Sequence, residues 1–255
     1  MKLTFIIAYL FSSFAYANFD KGLEIAKKMD EANKGYKSEV SQMKLVLIDP
    51  VGKNLEREMK GVNLEKDDVI KGLMTFEKPE DVNGTKLLTW SYRSEGEDDD
   101  QWLFLPSLKR VKRINSRTRG SSFMGSEFSY ADLTAQTIEK YKYKFIKDSK
   151  IDGQDVWVLE RYPKQKSNYS KVELHVSKKM LTSIRNNYFN KRDELYKTAT
   201  FSGFKQYKVG GKSFYRASEV LMSNLQSKKK SKFIWVDRKL GEKVQESRLN
   251  KRSLR

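Results

Sequence analysis

The chain has 255 residues, 38% apolar and 12% aromatic, enough for one sizeable core, and it lacks cysteine, which excludes a small disulfide-stapled module. Lysine and arginine outnumber aspartate and glutamate 51 to 33, a formal charge of +18, so charge alone points to an anionic partner: nucleic acid, an anionic membrane or an acidic protein surface. A single histidine and no cysteine exclude the usual zinc sites and Cys-His nucleophiles.

The first residues, Met1 to Phe11, combine one positive charge with a short apolar run, and Ala15-Tyr16-Ala17 supplies a small-x-small cleavage pattern. The run is shorter than the about 20 residues needed to span a bilayer. A cleaved secretory signal over 1–17 is therefore expected, followed by one domain over 18–255 in a Gram-negative periplasm. A lipoprotein signal is excluded, because it needs a cysteine at the cleavage point. Losing Lys2 takes the formal charge from +18 to +17. Export removes most of the case for nucleic acid and leaves anionic headgroups, or acidic patches on a membrane protein, as the expected partners.

From Asn18 to about Tyr36 the pattern is helical: Phe19, Leu23, Ala26 and Met29 recur at helical spacing, and Gly35 ends the run. Strand signals follow. Met43, Leu45 and Leu47 alternate with Lys44, Val46 and Ile48, and further strands are expected over 55–64, 69–77 and 86–93. Beyond the central stretch, Tyr141, Tyr143 and Phe145 alternate with lysines, and Asp152-Gly153 offers a hairpin turn into Val156-Trp157-Val158-Leu159. Strands are expected over 172–176, 180–189, 198–208, 213–224 and 232–236, and the charged end, 242–254, reads as a terminal helix. About ten short strands joined by short turns define a mainly β chain: a large curled antiparallel sheet, its concave face filled by helices or by a ligand.

The most distinctive stretch runs from Trp102 to Leu133. It opens on Trp102-Leu103-Phe104-Leu105-Pro106, continues through a basic segment holding Lys109, Arg110, Lys112 and Arg113, and closes on Phe123-Met124-Gly125-Ser126-Glu127-Phe128-Ser129-Tyr130. In a strand, Lys109, Val111 and Arg113 share one face while Arg110, Lys112 and Ile114 share the other. Charge on both faces suits an edge strand guarded by charge or a site for headgroups or an acidic partner, since the arginine fork pairs bidentately with phosphate and carboxylate. Trp90, Tyr92, Trp102 and Phe104, on alternate positions, are candidates for core or for the wall of a lipid-sized cavity, and Phe123, Met124, Phe128 and Tyr130 join them.

Signs of catalysis are sparse. His175 sits between Leu174 and Val176, and alternation turns it to the opposite, exposed side. No phosphate-cradling glycine loop and no dinucleotide fingerprint is present. Five carboxylates within 95–100 repel one another and would welcome a cation, but their spacing is not that of an EF-hand, and a solvated hairpin tip is the plainer reading. Neither a cofactor nor a metal is expected. The sequons at Asn83 and Asn168 would matter only in a eukaryotic secretory pathway.

The run from Trp102 to Ile114, with Phe123 to Leu133 and the upstream Phe76-Glu77-Lys78-Pro79 and Gly84-Thr85-Lys86-Leu87-Leu88, closely resembles the LolA-like outer-membrane lipoprotein-sorting proteins. Glu127 stands where an aspartate is expected, keeping the charge. The resemblance implies an incomplete β-barrel folded around helices with an apolar cavity for acyl chains. It implies a monomeric, non-catalytic periplasmic carrier of a lipid or lipoprotein, from a group often associated with RND/MMPL-type exporters. The alternative is a non-carrying accessory or sensor module that docks on a membrane transporter through the basic stretch.

Overall fold

The computed structural model describes residues 3–254, with side chains from residue 18 onward. The expected signal segment, Met1 to Ala17, lies outside the described side chains. One helix, α1 (Leu3–Asn33), precedes fifteen strands. The first six are β1 (Ser38–Ile48), β2 (Asn54–Glu65), β3 (Val69–Lys78), β4 (Lys86–Tyr92), β5 (Asp100–Leu105) and β6 (Arg110–Ile114). A long segment, 115–140, leads to β7 (Tyr141–Ile151), β8 (Gln154–Pro163), β9 (Lys171–Ser177), β10 (Thr182–Phe189) and β11 (Leu195–Ser202). The chain ends with β12 (Lys205–Val209), β13 (Lys212–Arg216), β14 (Glu219–Asn224), β15 (Lys230–Leu240) and two short 3-10 turns.

Thirteen strands form one antiparallel sheet in the order β6-β5-β4-β3-β2-β1-β15-β14-β11-β10-β9-β8-β7. Its edges, β6 and β7, do not pair, so the sheet curls without closing. Both edges carry cations: Arg110, Lys112 and Arg113 on one, Lys142, Lys144 and Lys147 on the other. Charged edges discourage pairing with a further strand.

Two expected strands are each broken in two. The run 198–208 is interrupted at Gly203, whose φ of +62° suits glycine, and 213–224 at Ser218, whose backbone N–H donates to the carbonyls of Ser202 (3.0 Å) and Gly203 (3.2 Å). The freed hairpin β12–β13 leaves the sheet and meets α1, where Arg216 Nη1 donates to Asn33 Oδ1 (2.7 Å). The expected terminal helix is instead the pair of 3-10 turns.

Helix α1 docks on β7. Its buried face is Gly22, Ile25 and Ala26 with Met29 beside them, while Phe19 and Leu23, which recur at helical spacing with Ala26 and Met29, are exposed. Gly22 sets the distance: a Cβ there would lie 2.6 Å from the Tyr143 carbonyl oxygen and 2.8 Å from the Phe145 nitrogen. Backbone cannot rotate aside as a side chain can. Gly22→Ala is therefore expected to lift the helix and cost about 1–3 kcal/mol, measurable as a lower urea midpoint with an unchanged m-value.

The sheet has an apolar cluster on each face. The inner face carries Met43, Leu45, Met59, Phe76, Leu87, Leu103, Leu174, Met222 and Phe233. The outer face carries Leu88 and Trp102, flanked by Val62, Leu73, Trp90, Phe104 and Val111, and the C-terminal segment covers it with Val244, Leu249 and Leu254. Trp90 Nε1 donates to the Leu249 carbonyl (2.8 Å), Lys71 pairs with Glu246 (2.7 Å), and Lys86 donates to the Leu254 carbonyl (3.2 Å), fixing the cover in place.

Candidate ligand cavity under the crossing segment

The segment 115–140 joins the opposite edges β6 and β7 and crosses the inner face, where Phe123 meets Phe76 of β3 and Phe128 meets Phe233 of β15. It does so without regular structure beyond two 3-10 turns, and loops this long in a compact domain usually serve a function. Its aromatic residues anchor it. Phe123, fully buried, lies 5.7 Å from Phe76 and 5.6 Å from Tyr130 between ring centroids. Buried Gln101 Nε2 donates to the Tyr130 carbonyl (2.9 Å). Ser129 and Asp132 form a reciprocal capping box, and the Tyr169 hydroxyl donates to Asp132 (3.2 Å).

Glu127 ties the segment to the far half of the sheet. Its N–H donates to Ser231 Oγ (2.9 Å), its carbonyl accepts from Lys197 Nζ (2.7 Å), and its carboxylate accepts from Asn224 Nδ2 (2.7 Å). Lys197 and Asn224 are buried, and burial holds the Lys197 ammonium below its ordinary pKa. Glu127→Ala leaves the Asn224 amide without its acceptor and is expected to cost about 1–3 kcal/mol, read from denaturant unfolding. Glu127→Asp should restore part of the loss.

Between this segment and the inner face lies a cavity of about 380 Å³, lined chiefly by Met43, Leu87, Phe128, Ala199, Met222 and Phe233. That volume falls within the range of small-molecule sites, about 300–1,000 Å³. Two buried polar atoms of its wall, Ser41 Oγ and Trp235 Nε1, have no hydrogen-bond partner among the described residues. Space exists here because β3 and β4 present Gly72, Thr89 and Ser91 to the cavity, where bulkier side chains would fill it.

The cavity adjoins a wider, charged mouth of about 510 Å³, with Tyr36, Glu39 and Trp235 in both walls. Arg93 bridges Asp30 (3.3 Å) and Glu65 (3.2 Å), and Arg238 Nε meets Glu39 at 3.1 Å. Arg216 lies 5.3 Å from the Tyr36 ring centre, and burial, reinforced by Glu65 and Glu39, raises the Tyr36 hydroxyl above its ordinary pKa. An apolar chamber behind a polar mouth suits an amphiphile, tail inward.

Of the aromatic candidates read from sequence, Phe128 lines the cavity, while Phe123 and Tyr130 pack behind it. Met124, at φ +50°, turns the segment, and its carbonyl accepts from Arg57 Nη1. Trp90, Trp102 and Phe104 belong to the outer-face cluster under the C-terminal segment, and Tyr92, on the same side of β4, donates to Asp100 (3.3 Å). These four do not line the cavity: each strand alternates, and its inward positions are Leu87, Thr89 and Ser91 on β4 and Gln101 and Leu103 on β5. Lys109, Arg110 and Arg113 are exposed on or beside the β6 edge, where Arg113 reaches Asp100 at 2.5 Å.

The acidic turn is largely neutralised by its surroundings. Asp98 pairs with Arg119 (3.3 Å), Asp99 with Lys140, Asp100 with Arg113, and Glu95 with Lys164 (2.7 Å). Among the described residues, no group of three or more acidic or histidine side chains is placed to hold a metal ion. His175 is half-covered rather than exposed, 3.6 Å from Glu173, and burial lowers its pKa.

The curled, unclosed antiparallel sheet is that of a LolA-type fold. The chain is 38% identical to a domain from Vibrio parahaemolyticus named for outer-membrane lipoprotein sorting, with 93% of this chain and 99% of that one covered and a TM-score of 0.89. It is 28% identical to a DUF1329 family protein from Desulfovibrio piger, with 93% and 99% covered and a TM-score of 0.86. A LolA superfamily protein from Nitrosomonas europaea, 19% identical with 90% and 97% covered and a TM-score of 0.69, shares the fold. A family model described as "Uncharacterized protein" matches residues 68–255. No curated protein matches the chain. The chain belongs to the LolA-like outer-membrane lipoprotein-sorting family.

Proposed function

We propose that the protein is a periplasmic carrier that takes a lipid, or the acyl chains of a lipoprotein, into the cavity under the crossing segment and moves it between membranes without catalysis. The observation that carries this reading is the apolar chamber of about 380 Å³ opening on a charged mouth. Each methylene buried there favours binding by about 0.8 kcal/mol before ordering costs. Export through a cleaved signal over 1–17 would place the carrier between the two membranes.

Native mass spectrometry of the mature protein purified from periplasm tests this directly. A stoichiometric acyl species is expected, and a bare mass that persists after incubation with membranes would defeat the reading.

The exposed cations Lys109, Arg110 and Arg113 favour a second reading, an accessory module docked on an RND/MMPL-type exporter or an anionic membrane. In that case Arg110→Glu with Arg113→Glu should abolish partner capture from a protein that holds no lipid.

A further inference from the structure

A second, polar cavity of about 270 Å³ adjoins the apolar one across Asp132, Thr134, Tyr188 and Phe201, under the β7–β10 half of the sheet. Arg161 of β8 lies in its wall. It points inward with Tyr143 and Val172 as its cross-strand neighbours, and it is only 8% exposed. Its guanidinium carbon lies 4.5 Å from the centre of the Tyr141 ring.

The other buried arginines of the inner face are compensated: Arg93 has Asp30 and Glu65, and Arg238 has Glu39. Among the described residues no carboxylate pairs with Arg161, and its Nε has no hydrogen-bond partner. The acidic residues of the same wall are engaged elsewhere. Asp132 accepts from Ser129 and Tyr169, and Asp99 holds Lys140. Buried Asn186, also in the wall, has an unpartnered side-chain oxygen, and an amide at this position can turn to present its NH₂ instead.

A buried charge without a partner is costly, and arginine cannot relieve the cost by losing its proton. The neighbouring Tyr143 hydroxyl and the Asp132 carboxylate, which does not pair with the guanidinium, ease this cost in part, and an anion in the cavity would complete the compensation. We infer that this cavity is an anion site, in which the Arg161 fork, with the Asn186 amide in the same wall, takes a phosphate or carboxylate group. The inference rests on Arg161 and its cavity and not on the carrier reading; where both hold, the ligand is an anionic lipid whose headgroup turns to Arg161 rather than to the charged mouth.

The test is thermal unfolding of the mature chain with inorganic phosphate, with lysophosphatidylglycerol below its micellar concentration, and with neutral lysophosphatidylcholine as control. At a hundred times the Kd, a bound anion should raise Tm by about 5–10 °C. The rise should vanish in Arg161→Gln and persist in Arg192→Gln, which removes an exposed arginine of the β10–β11 turn. A rise with phosphate and lipid alike identifies a site open to the free ion; a rise with the anionic lipid alone identifies a headgroup site.

An equal rise in Arg161→Gln, or none with any anion in the wild type, overturns the inference. Should Arg161→Gln fail to fold, Arg161→Lys keeps the charge and loses the fork, and affinity reduced by about tenfold is expected; unchanged affinity refutes the site. Anionic lipid recovered from Arg161→Gln at wild-type stoichiometry removes the anion site and leaves the carrier standing. Phosphate bound through Arg161 by a protein that takes up no acyl chain does the converse.

Discussion

Trp102→Ala is expected to destabilise the protein by about 3–5 kcal/mol and to leave acyl binding unchanged. Trp102 is only 7% exposed, and its ring meets Trp90 edge-on at 5.3 Å between centroids. The cluster is completed by Leu249 and Leu254 of the C-terminal segment, both fully buried. Removing the indole leaves a gap that strands β4 and β5 cannot close, because their inward side chains are packed against the crossing segment. Unfolding in urea reads the stability, and native mass spectrometry of the same sample reads the ligand. A variant that keeps wild-type stability, or that loses its ligand while folded, would show that the outer face is not the separate, structural core described above.

That division of labour between faces is also where sequence and structure part. Strand β4 is apolar on both sides: Leu87 and Leu88 are each fully buried. Alternation reveals two faces but not which one bounds empty space, and the face with Trp90 and Tyr92 reads as the richer site. Physically the inference runs the other way. Large rings fill the volume beside them, so a cavity forms where side chains are small, here at Gly72, Thr89, Ser91 and Ala199. Nothing local signals that residues some 150 positions downstream cover the aromatic face.

The crossing segment was legible in part. Its aromatic and small residues stand out in sequence, but that it joins opposite edges across the inner face follows only from the strand order and its contacts with Phe76 and Phe233. Most strands follow from alternation, as with Met43 and Leu45 on β1. The breaks at Gly203 and Ser218 do not, because β-branched and aromatic residues continue through both. Arg161 had a signal that periodicity alone could have caught: it is in phase with Leu159, which points inward. A charge in phase with the core is the exception to look for.

Ala199→Trp is expected to reduce acyl affinity by at least about a thousandfold in a protein that still folds. Ala199 sits on β11 opposite Met222, fully buried in the cavity wall. An indole built there projects into the space an acyl chain would take. Excluding even five methylenes forfeits about 4 kcal/mol at about 0.8 kcal/mol each, which is about a thousandfold in Kd. Overpacking a core normally costs about 1–3 kcal/mol, but here the cavity itself receives the ring, so the stability loss should fall at or below the lower end. The pair of measurements is decisive because it mirrors Trp102→Ala: one substitution fills the cavity and spares the fold, the other weakens the fold and spares the cavity. Displacement of a fluorescent fatty acid, followed by urea unfolding of the same preparation, reads both. A folded Ala199→Trp protein that binds the acyl probe with wild-type affinity would place the ligand elsewhere and remove the ground for a carrier.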